Sequence, residues 1–382
     1  MPLPSNATKP LVLVFPCAHT TNYQRCLVIA QHLRPFFEMR FIHTDQQAHL
    51  VYQQGFETFN GNFFPLLHYL IEEKLPGVHE TNPELMFLEQ VEILETLQPA
   101  LIIGDNDYTL SMAAEFTGIP IISVMNGYQS PYFANRSIFH SQFRNYEPFC
   151  RIREKYGLRE KNSIQEELEG DLNWICDLPE LFPQKELPYH YELIGPLIEV
   201  PRPSKATGIE KLSSFKKNIL IDLDDTKPVN WLEVLDTITC QGYNLTVRAT
   251  NQNPKLLHLR RTSSCINSAH LFAKADLLVC NTEGLLYEAL FYGLPVIFKC
   301  QFAYQERIIE ALEYWQIGTS WSHTTSTVKK TFDYWISNKR SDMHRTLQYK
   351  LKASLNSLGS KLLQSITLHF PYLDRLSVPV SK

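Results

Sequence analysis

Short apolar runs alternate with longer amphipathic stretches along most of the chain. The first run, Leu11–Phe15, is apolar at every position, which is typical of a strand buried on both faces. The stretch that follows carries apolar residues at helical spacing, among them Leu27, Ala30 and Leu33. Because this unit recurs, the pattern predicts consecutive strand–helix units and therefore parallel sheets.

The same pattern predicts the other elements of the first half of the chain. One helix begins after Asn82, which can cap it, with Pro83 in its first turn, and another ends at Gly118. The predicted strands are Leu11–Phe15, Met39–His43, Leu101–Gly104, Ile119–Met125 and Asn173–Cys176, and the predicted helices are Tyr23–Leu33, Asn82–Thr96, Tyr108–Thr117 and Ile138–Tyr156.

A segment punctuated by Pro196, Pro201, Pro203 and Gly208 has little periodicity and predicts an interdomain linker. A second strand–helix series follows it. We therefore predict an α/β fold with two Rossmann-like parallel-sheet domains, residues 1–196 and 197–360, and a helix end with a tail over 361–382. The predicted strands of the second series are Asn218–Leu223, Asn244–Ala249, Leu277–Cys280 and Val296–Lys299, and its helices are Val229–Thr239, Gly284–Tyr292, Gln305–Trp315, Thr327–Asn338 and Met343–Phe370.

Composition and charge narrow the class of protein without changing this picture. The chain has 382 residues, of which 44% are hydrophobic and 20% charged, as expected for a globular protein of two domains. The formal net charge of -4 gives no support to nucleic-acid binding. The eight cysteines contain no C-x-x-C pair, which argues against a zinc site and a disulfide framework and favours a reducing cytoplasm. We expect no metal and no other cofactor.

Membrane insertion is not expected from the sequence. The residues before Leu11 contain no apolar stretch of signal-peptide length, and no run reaches the ~20 apolar residues that span a bilayer. We therefore expect a cytoplasmic protein. Basic residues in the last predicted helices, such as Lys329 and Lys352, leave a peripheral contact with anionic lipid open, although a solvated helix face is the simpler interpretation.

Residues 276–305 carry the most specific motif of the chain. An apolar strand leads into a turn with Gly284, and then come Glu288-Ala-Leu, Gly293-Leu-Pro and Gln305. These pieces resemble the donor-binding segment of the UDP-glycosyltransferases and their MurG-like relatives, in which "E-A-L", "G-V-P" and "D-Q" follow at these spacings.

The N-terminal half extends this resemblance. Arg25–Ala30 is similar to the family's first helix, Gln98–Asp105 to its "x-P-D-L-V-V-x-D" strand, and Gly118-Ile-Pro to the entry of the next strand. The ordered pieces cover most of residues 11–315. The resemblance implies a GT-B fold, in which two Rossmann-like domains face each other across a cleft, with the acceptor bound by the N-terminal domain and a nucleotide sugar by the C-terminal one.

The resemblance also implies an activity. Such an enzyme transfers a sugar, typically a hexose, from a nucleotide diphosphate sugar to an acceptor hydroxyl. We expect a UDP-sugar as donor and co-substrate, and a small molecule, lipid or glycan as acceptor. By the same resemblance we expect an inverting mechanism that needs no metal.

The donor site is expected in the turn Cys280–Gly284, because the start of a helix presents amide groups and a favourable dipole to a diphosphate. By resemblance, Glu288 would bind the ribose hydroxyls and Gln305 the transferred sugar. A buried strand with its packing helix is the structural alternative for this segment. The expected donor-binding residues are Asn281, Thr282, Gly284, Leu285, Glu288 and Gln305, and the expected base-contacting residues are Cys265 and Ile266.

The catalytic pair is also expected by resemblance. In the family, a histidine in the loop after the first strand is the general base, and an aspartate at the end of a later strand orients it. His19 lies in that loop and Asp105 ends the later strand. Counted back from Arg25, the family's histidine falls on Asn22, and an insertion of three residues brings His19 into its place. The alternatives are an ordinary loop role for His19, a helix-capping role for Asp105, which Asp107 can share, and Asp105 itself as the general base.

The phosphate-binding region departs from the family's pattern. The chain has only 15 glycines, against about 27 at the average usage of ~7%. Glu283 puts a negative charge beside the expected diphosphate, Asp224 and Asp225 follow the first strand of the second series, and Tyr304 replaces the aspartate before Gln305. Two other interpretations stay open, namely a different GT-B enzyme (a sugar-nucleotide epimerase or a polyol-phosphate transferase) and a non-catalytic GT-B binding protein.

Overall fold

The chain forms two units. It passes from unit 1 to unit 2 and then returns to unit 1. Unit 1 consists of Met1–Glu199 and Ser354–Lys382, and unit 2 of Val200–Ala353. The helix Asp342–His369 therefore begins in unit 2 and ends in unit 1. The computed structural model describes residues 9–17, 20–43, 48–61, 82–134, 146–199, 217–223, 243–249, 268–300, 305–321, 325–338 and 341–373.

Unit 1 is built on a parallel sheet flanked by helices. Its strands are β1 (Leu11–Pro16), β2 (Glu38–His43), β3 (Glu57–Asn60), β4 (Leu101–Asp105), β5 (Ile121–Met125), β6 (Leu172–Ile175) and β7 (Tyr191–Leu193). Its helices are α1 (Thr20–Leu33), α2 (Ala48–Gln53), α3 (Pro83–Leu97), α4 (Leu110–Thr117), α5 (Glu147–Tyr156) and α6 (Ile164–Glu167). The strand order is β3-β2-β1-β4-β5-β6-β7, and every neighbouring pair is parallel.

Both faces of this sheet carry a hydrophobic core. On one face, Val12, Val14 and Phe41 pack with α1, and on the other, Leu13 and Ile42 pack with α3, α4 and α5. Successive side chains of a strand point to opposite faces, so a strand that is covered on both sides must be apolar at successive positions. Burial on both faces explains why the run is apolar at every position, and the strand predicted from it, β1, is confirmed.

Unit 2 contains a smaller parallel sheet. Its strands are β8 (Asn218–Leu223), β9 (Asn244–Ala249), β10 (Leu277–Cys280), β11 (Val296–Phe298) and β12 (Gly318–Ser320). Its helices are α7 (Ser268–Lys274), α8 (Gly284–Tyr292), α9 (Glu306–Tyr314), α10 (Thr325–Asn338) and the start of α11 (Asp342–His369). The order is β12-β11-β10-β8-β9, so the predicted α/β fold with two parallel sheets is confirmed.

Each sheet reverses its strand order beside its first strand. β1 lies between β2 and β4, and β8 lies between β9 and β10. In unit 1, α1 after β1 and α4 after β4 cover opposite faces of the sheet. In open α/β sheets, ligands bind at the carboxyl ends of the strands at such a reversal. Two candidate ligand sites follow, one beside β1 and β4 in unit 1 and one beside β8 and β10 in unit 2.

The C-terminal half of α11 completes the core of unit 1. Leu358, Leu362 and Ile366 belong to the core on the α1 face. A Cβ atom at Gly359 would lie 2.8 Å from Nδ1 of His32, so a larger residue at this position would require the exposed His32 side chain to move. Within the described ranges, no helix is both long and apolar enough to cross a membrane.

His344 gives the stability of the fold a predicted pH dependence. It lies in the first turn of α11 with 1% of its surface exposed, and neither ring nitrogen has a hydrogen-bond partner among the residues described. Burial lowers its pKa from 6.5 to about 4. Because the unfolded chain keeps the ordinary pKa, this contribution to stability is complete above pH 6.5 and is lost as the pH falls toward 4.

We expect His344→Gln to remove roughly 3 kcal/mol of the difference between the unfolding free energies at neutral and acid pH. The measurement is urea unfolding of the full chain at both pH values. The same substitution at exposed His49 is the control and should leave the difference unchanged. Equal pH dependence in the wild type and His344→Gln would contradict the assignment.

Candidate functional sites at the carboxyl edges of the two sheets

Asp105 ends β4 where the strand order of unit 1 reverses, and its side chain is fully buried. Oδ1 accepts hydrogen bonds from Asn22 Nδ2 at 2.7 Å and Arg25 Nη2 at 2.6 Å. Oδ2 accepts one from Arg25 Nε at 3.0 Å and lies 3.9 Å from the thiol of Cys26. A carboxylate offers about four acceptor positions, and these four contacts occupy them.

The contact between Arg25 and Asp105 is a buried, charge-assisted ion pair. Burial raises the pKa of Asp105, while the charge of Arg25 and the hydrogen bonds from Asn22 and Arg25 act in the opposite direction. Burial alone would lower the pKa of Arg25, but the charge of Asp105 raises it well above its ordinary value. The two-pronged geometry is that of a strong guanidinium–carboxylate pair. Asp105 is therefore engaged in the fold and has no acceptor position left for a substrate.

Arg25 also joins the ends of the next two strands. Its Nη1 donates to Oδ1 of Asn126, which follows β5, and lies 3.0 Å from Sγ of Cys176, which follows β6. Nδ2 of Asn126 in turn donates to the hydroxyl oxygen of Tyr128 at 2.8 Å. One guanidinium thus fixes α1 to the carboxyl ends of β4, β5 and β6.

Asp107, and not Asp105, caps the helix that starts nearby. Its Oδ1 accepts from the backbone amides of Thr109 at 3.0 Å and Leu110 at 3.2 Å. Asn106, between the two aspartates, has φ 60°, a left-handed conformation that asparagine tolerates. This turn sends Asp105 toward α1 and Asp107 toward α4. The capping role that the sequence left open between them therefore belongs to Asp107.

Three of the predicted site residues, His19, Cys265 and Ile266, lie outside the described residues. The pairing of His19 with Asp105 therefore stays a prediction. Asn22 occupies the position that counting from Arg25 assigns to the family's histidine. Its amide cannot take up a proton, and it contacts Asp105 directly.

The turn between β10 and α8 lies where the strand order of unit 2 reverses. Asn281 is 2% exposed, Thr282 is partly exposed, and α8 begins at Gly284. Connectivity places the start of α8, and with it the positive end of the helix dipole, at the carboxyl edge of the sheet. Of the other expected donor residues, Leu285 is buried in the first turn of α8 and Glu288 is partly buried in the second.

Two charged residues lie on the strands and loops next to this turn. Asp222, the last residue but one of β8, is opposite Cys280 of β10 and is 8% exposed. Lys299 follows β11, and its backbone amide donates to the carbonyl oxygen of Cys280 at 2.8 Å. Burial lowers the pKa of Lys299, as expected for an ammonium group that is partly removed from water.

Gln305 is brought to the predicted turn. It precedes α9, is 3% exposed, and its Nε2 donates to Oε1 of Glu283 at 3.3 Å. Glu288 faces Tyr292 one turn further along α8, and the pKa of Tyr292 rises to about 12 through burial and the charge of Glu288. The described donor residues therefore gather at one end of α8 and of its sheet. No group of His, Cys, Asp or Glu in the described ranges is arranged to hold a metal ion.

Sequence relatives of the chain are named as glycosyltransferases. It is 24% identical to the PGL/p-HBAD biosynthesis rhamnosyltransferase of Mycobacterium bovis, over 54% of this chain and 53% of that protein. It is 26% identical to a PGL/p-HBAD biosynthesis glycosyltransferase of Mycobacterium tuberculosis, over 58% and 59% of the two chains. An inactive PGL/p-HBAD biosynthesis glycosyltransferase of Mycobacterium bovis is 28% identical over 38% of this chain and 46% of that one. The chain thus spans about half the length of the curated relatives it matches, and no known family profile matches it.

Solved structures establish the fold over nearly the whole chain. The glycosyltransferase of kitacinnamycin superposes with a TM-score of 0.69 at 15% identity, over 98% of this chain and 100% of that one. The calicheamicin glycosyltransferase CalG4 gives 0.69 at 15% identity, over 95% and 98%. The spinosyn rhamnosyltransferase SpnG, complexed with thymidine diphosphate, gives 0.61 at 15% identity, over 94% and 96%. The chain has the GT-B fold of these glycosyltransferases, as the resemblance implied.

Neutralising Asp105 alone should destabilise unit 1. Asp105→Asn leaves the buried guanidinium of Arg25 without a counter-charge, and we expect a loss of roughly 3–5 kcal/mol in unfolding free energy. Urea unfolding of the full chain measures it. The double variant Arg25→Met, Asp105→Leu removes both charges and should be less destabilised.

The matched control is Glu310→Gln, which breaks an exposed ion pair with Arg307 on α9. Its expected effect is below about 1 kcal/mol. If Asp105→Asn behaved like this control, the ion pair would not be the main constraint on this edge of unit 1.

Proposed function

We propose that this chain transfers a sugar from a nucleotide diphosphate sugar to an acceptor hydroxyl. The observation that carries the proposal is the strand–turn–helix unit of β10 and α8, which lies at the reversal of strand order with Glu288 one turn into the helix. The names of the sequence relatives and the nucleotide in the SpnG structure support it. Because the chain spans only about half of those relatives, the activity is inferred from the site and not taken over from them.

In the proposed donor complex, unit 2 holds the nucleotide. Amide groups at the start of α8 bind the diphosphate, and the helix dipole favours the charge that develops there as the sugar departs. Lys299, which follows β11 and whose backbone amide donates to Cys280, is a basic residue that the chain places at this edge. Glu288 accepts hydrogen bonds from the ribose hydroxyls, and the sequence resemblance favours uridine as the nucleoside. The thymidine diphosphate of SpnG makes thymidine the second nucleoside to test.

In the proposed acceptor complex, unit 1 holds the hydroxyl. Direct displacement at the anomeric carbon, with inversion, needs a base for the proton of that hydroxyl. The carboxylate of Asp105 is already held by Asn22 and Arg25, so the base falls to a histidine of unit 1, and His19 is the one that the resemblance offers for comparison. Arg25 and Asp105 act as positioning residues, because they fix α1 to the carboxyl ends of β4, β5 and β6.

Nucleotide binding tests the donor site. We expect calorimetry with UDP and TDP to show saturable binding, and Glu288→Ala to weaken it about 10-fold because a charged hydrogen bond is lost. Glu283→Gln should tighten it by roughly 2–5-fold, because a like charge beside the diphosphate is removed. Glu310→Gln, on an exposed helix face, is the control. Absence of binding at millimolar nucleotide, or equal affinity in all variants, contradicts this donor site.

Product analysis tests the reaction. With UDP-glucose or TDP-rhamnose and a panel of phenols and alcohols, we expect a glycoside by mass spectrometry and an inverted anomeric centre by NMR. EDTA should leave the rate within about 2-fold if no metal takes part, since the α8 amides and Lys299 then stabilise the leaving group. Retention of configuration would overturn direct displacement, and epimerised or hydrolysed donor without a glycoside would favour a different GT-B enzyme.

A nucleotide-binding protein without transferase activity is the second candidate function. Asn22 at the position of the family's histidine and Glu283 beside the start of α8 favour it, and one sequence relative is itself named as inactive. Nucleotide binding without turnover on any acceptor would establish it.

A further inference from the structure

His43 is the last residue of β2 and lies in the same cross-strand row as Asp105. Val14 of β1 is opposite Phe41 of β2, and Pro16 of β1 is opposite Asp105 of β4. Two further residues along the first register bring His43 opposite Pro16. Neighbouring strands are about 4.8 Å apart, so His43 and Asp105 flank the end of β1 at a backbone separation of about 10 Å.

The two side chains also share one face of the sheet. Phe41 of β2 and Ile103 of β4 belong to the core on the α1 face, and side chains two residues apart in a strand point the same way. His43 and Asp105 therefore both lie on the α1 face, at its carboxyl edge. The ring of Tyr52, on α2, meets the imidazole edge-on at 6.0 Å between centroids.

His43 and Asp105 differ in whether their buried polar atoms have hydrogen-bond partners. His43 is 4% exposed, and its Nδ1 is buried without a hydrogen-bond partner among the residues that the structure describes. The acceptor positions of Asp105, by contrast, are occupied by Asn22, Arg25 and Cys26. Buried polar atoms in native proteins are nearly always paired, and an orphan one at a ligand-binding edge points to a group that arrives with the ligand.

We propose that His43 is the catalytic base on the acceptor side. This inference rests on the proposed sugar transfer. The acceptor O–H bond breaks and its proton goes to the imidazole, while the acceptor oxygen bonds to the anomeric carbon. The bond from that carbon to the diphosphate breaks, and its electron pair leaves with the nucleotide. His43 thereby takes the role that the resemblance assigns to His19, because the aspartate that would orient His19 is held by Arg25.

The test compares two acceptors that differ in their need for a base. Phenol is protonated at pH 8, whereas 4-nitrophenol is already largely ionised. We expect His43→Asn and His43→Gln, which keep a polar group near Nδ1 or Nε2, to lower kcat/KM for phenol at least about 100-fold. Transfer to 4-nitrophenol should fall less than about 5-fold, because no proton has to be removed. The donor is UDP-glucose or TDP-rhamnose, whichever the wild type turns over.

Three controls accompany these variants. Tyr52→Phe keeps the ring beside His43, and His344→Gln removes a buried histidine of unit 2, so both should retain transfer to each acceptor. His19→Gln should show no difference between the two acceptors. UDP and TDP affinity and thermal melting should match the wild type in both His43 variants, which separates a chemical role from misfolding.

Different results would contradict the role of His43 and the proposed sugar transfer. If the His43 variants transfer to phenol within about 3-fold of the wild type, if they lose both acceptors equally, or if His19→Gln alone shows the acceptor-dependent loss, His43 is not the base. If the wild-type chain binds neither UDP nor TDP, or binds without turnover, the proposed sugar transfer itself is wrong. These outcomes are read from separate measurements.

Discussion

The buried ion pair between Arg25 and Asp105 is the constraint on which the carboxyl edge of unit 1 depends. Either charge alone would be buried without compensation, so the two residues can be retained or lost only together. Through Asn126 and Cys176, the same guanidinium holds the ends of three strands against α1. A residue that needs Asp105 as a hydrogen-bond acceptor has to compete with Arg25 and Asn22 for it. For this reason we propose His43, which lies elsewhere on the same edge, as the catalytic base.

The carboxyl edges of the two sheets differ in how their charged groups are arranged. In unit 1, the charges of Arg25 and Asp105 are paired with each other, and Asp107 and Asp177 accept hydrogen bonds from backbone amides. In unit 2, Asp222 is opposite Cys280 and Glu283 directly precedes α8, so carboxylates lie at this edge, and in the proposed donor complex the attraction for an anion comes from the amide groups and dipole at the start of α8. The scarcity of glycine fits this arrangement, because the binding capacity lies in the helix start and requires little special loop conformation.

The sequence predicted what is local and missed what is long-range. Central strands such as β1 and β10 are buried on both faces and read as continuous apolar runs, and caps such as Asn82 and Gly118 are recognisable within a few residues. The edge strands β3 and β12 were missed because they are short, polar and half exposed. Arg25 was placed on a helix correctly, but its partner lies 80 residues away, and no periodicity reveals such a contact.

The course of α11 has a consequence for how this chain can be divided. Its first turns belong to unit 2, whereas Leu358, Leu362 and Ile366 fill the core of unit 1, where Trp174 donates to Ser365 at 2.8 Å. A fragment that stops at the interdomain linker therefore exposes an apolar sheet face that the intact chain covers. If unit 1 is expressed separately, the C-terminal half of α11 has to be supplied with it, by fusion or as a separate peptide.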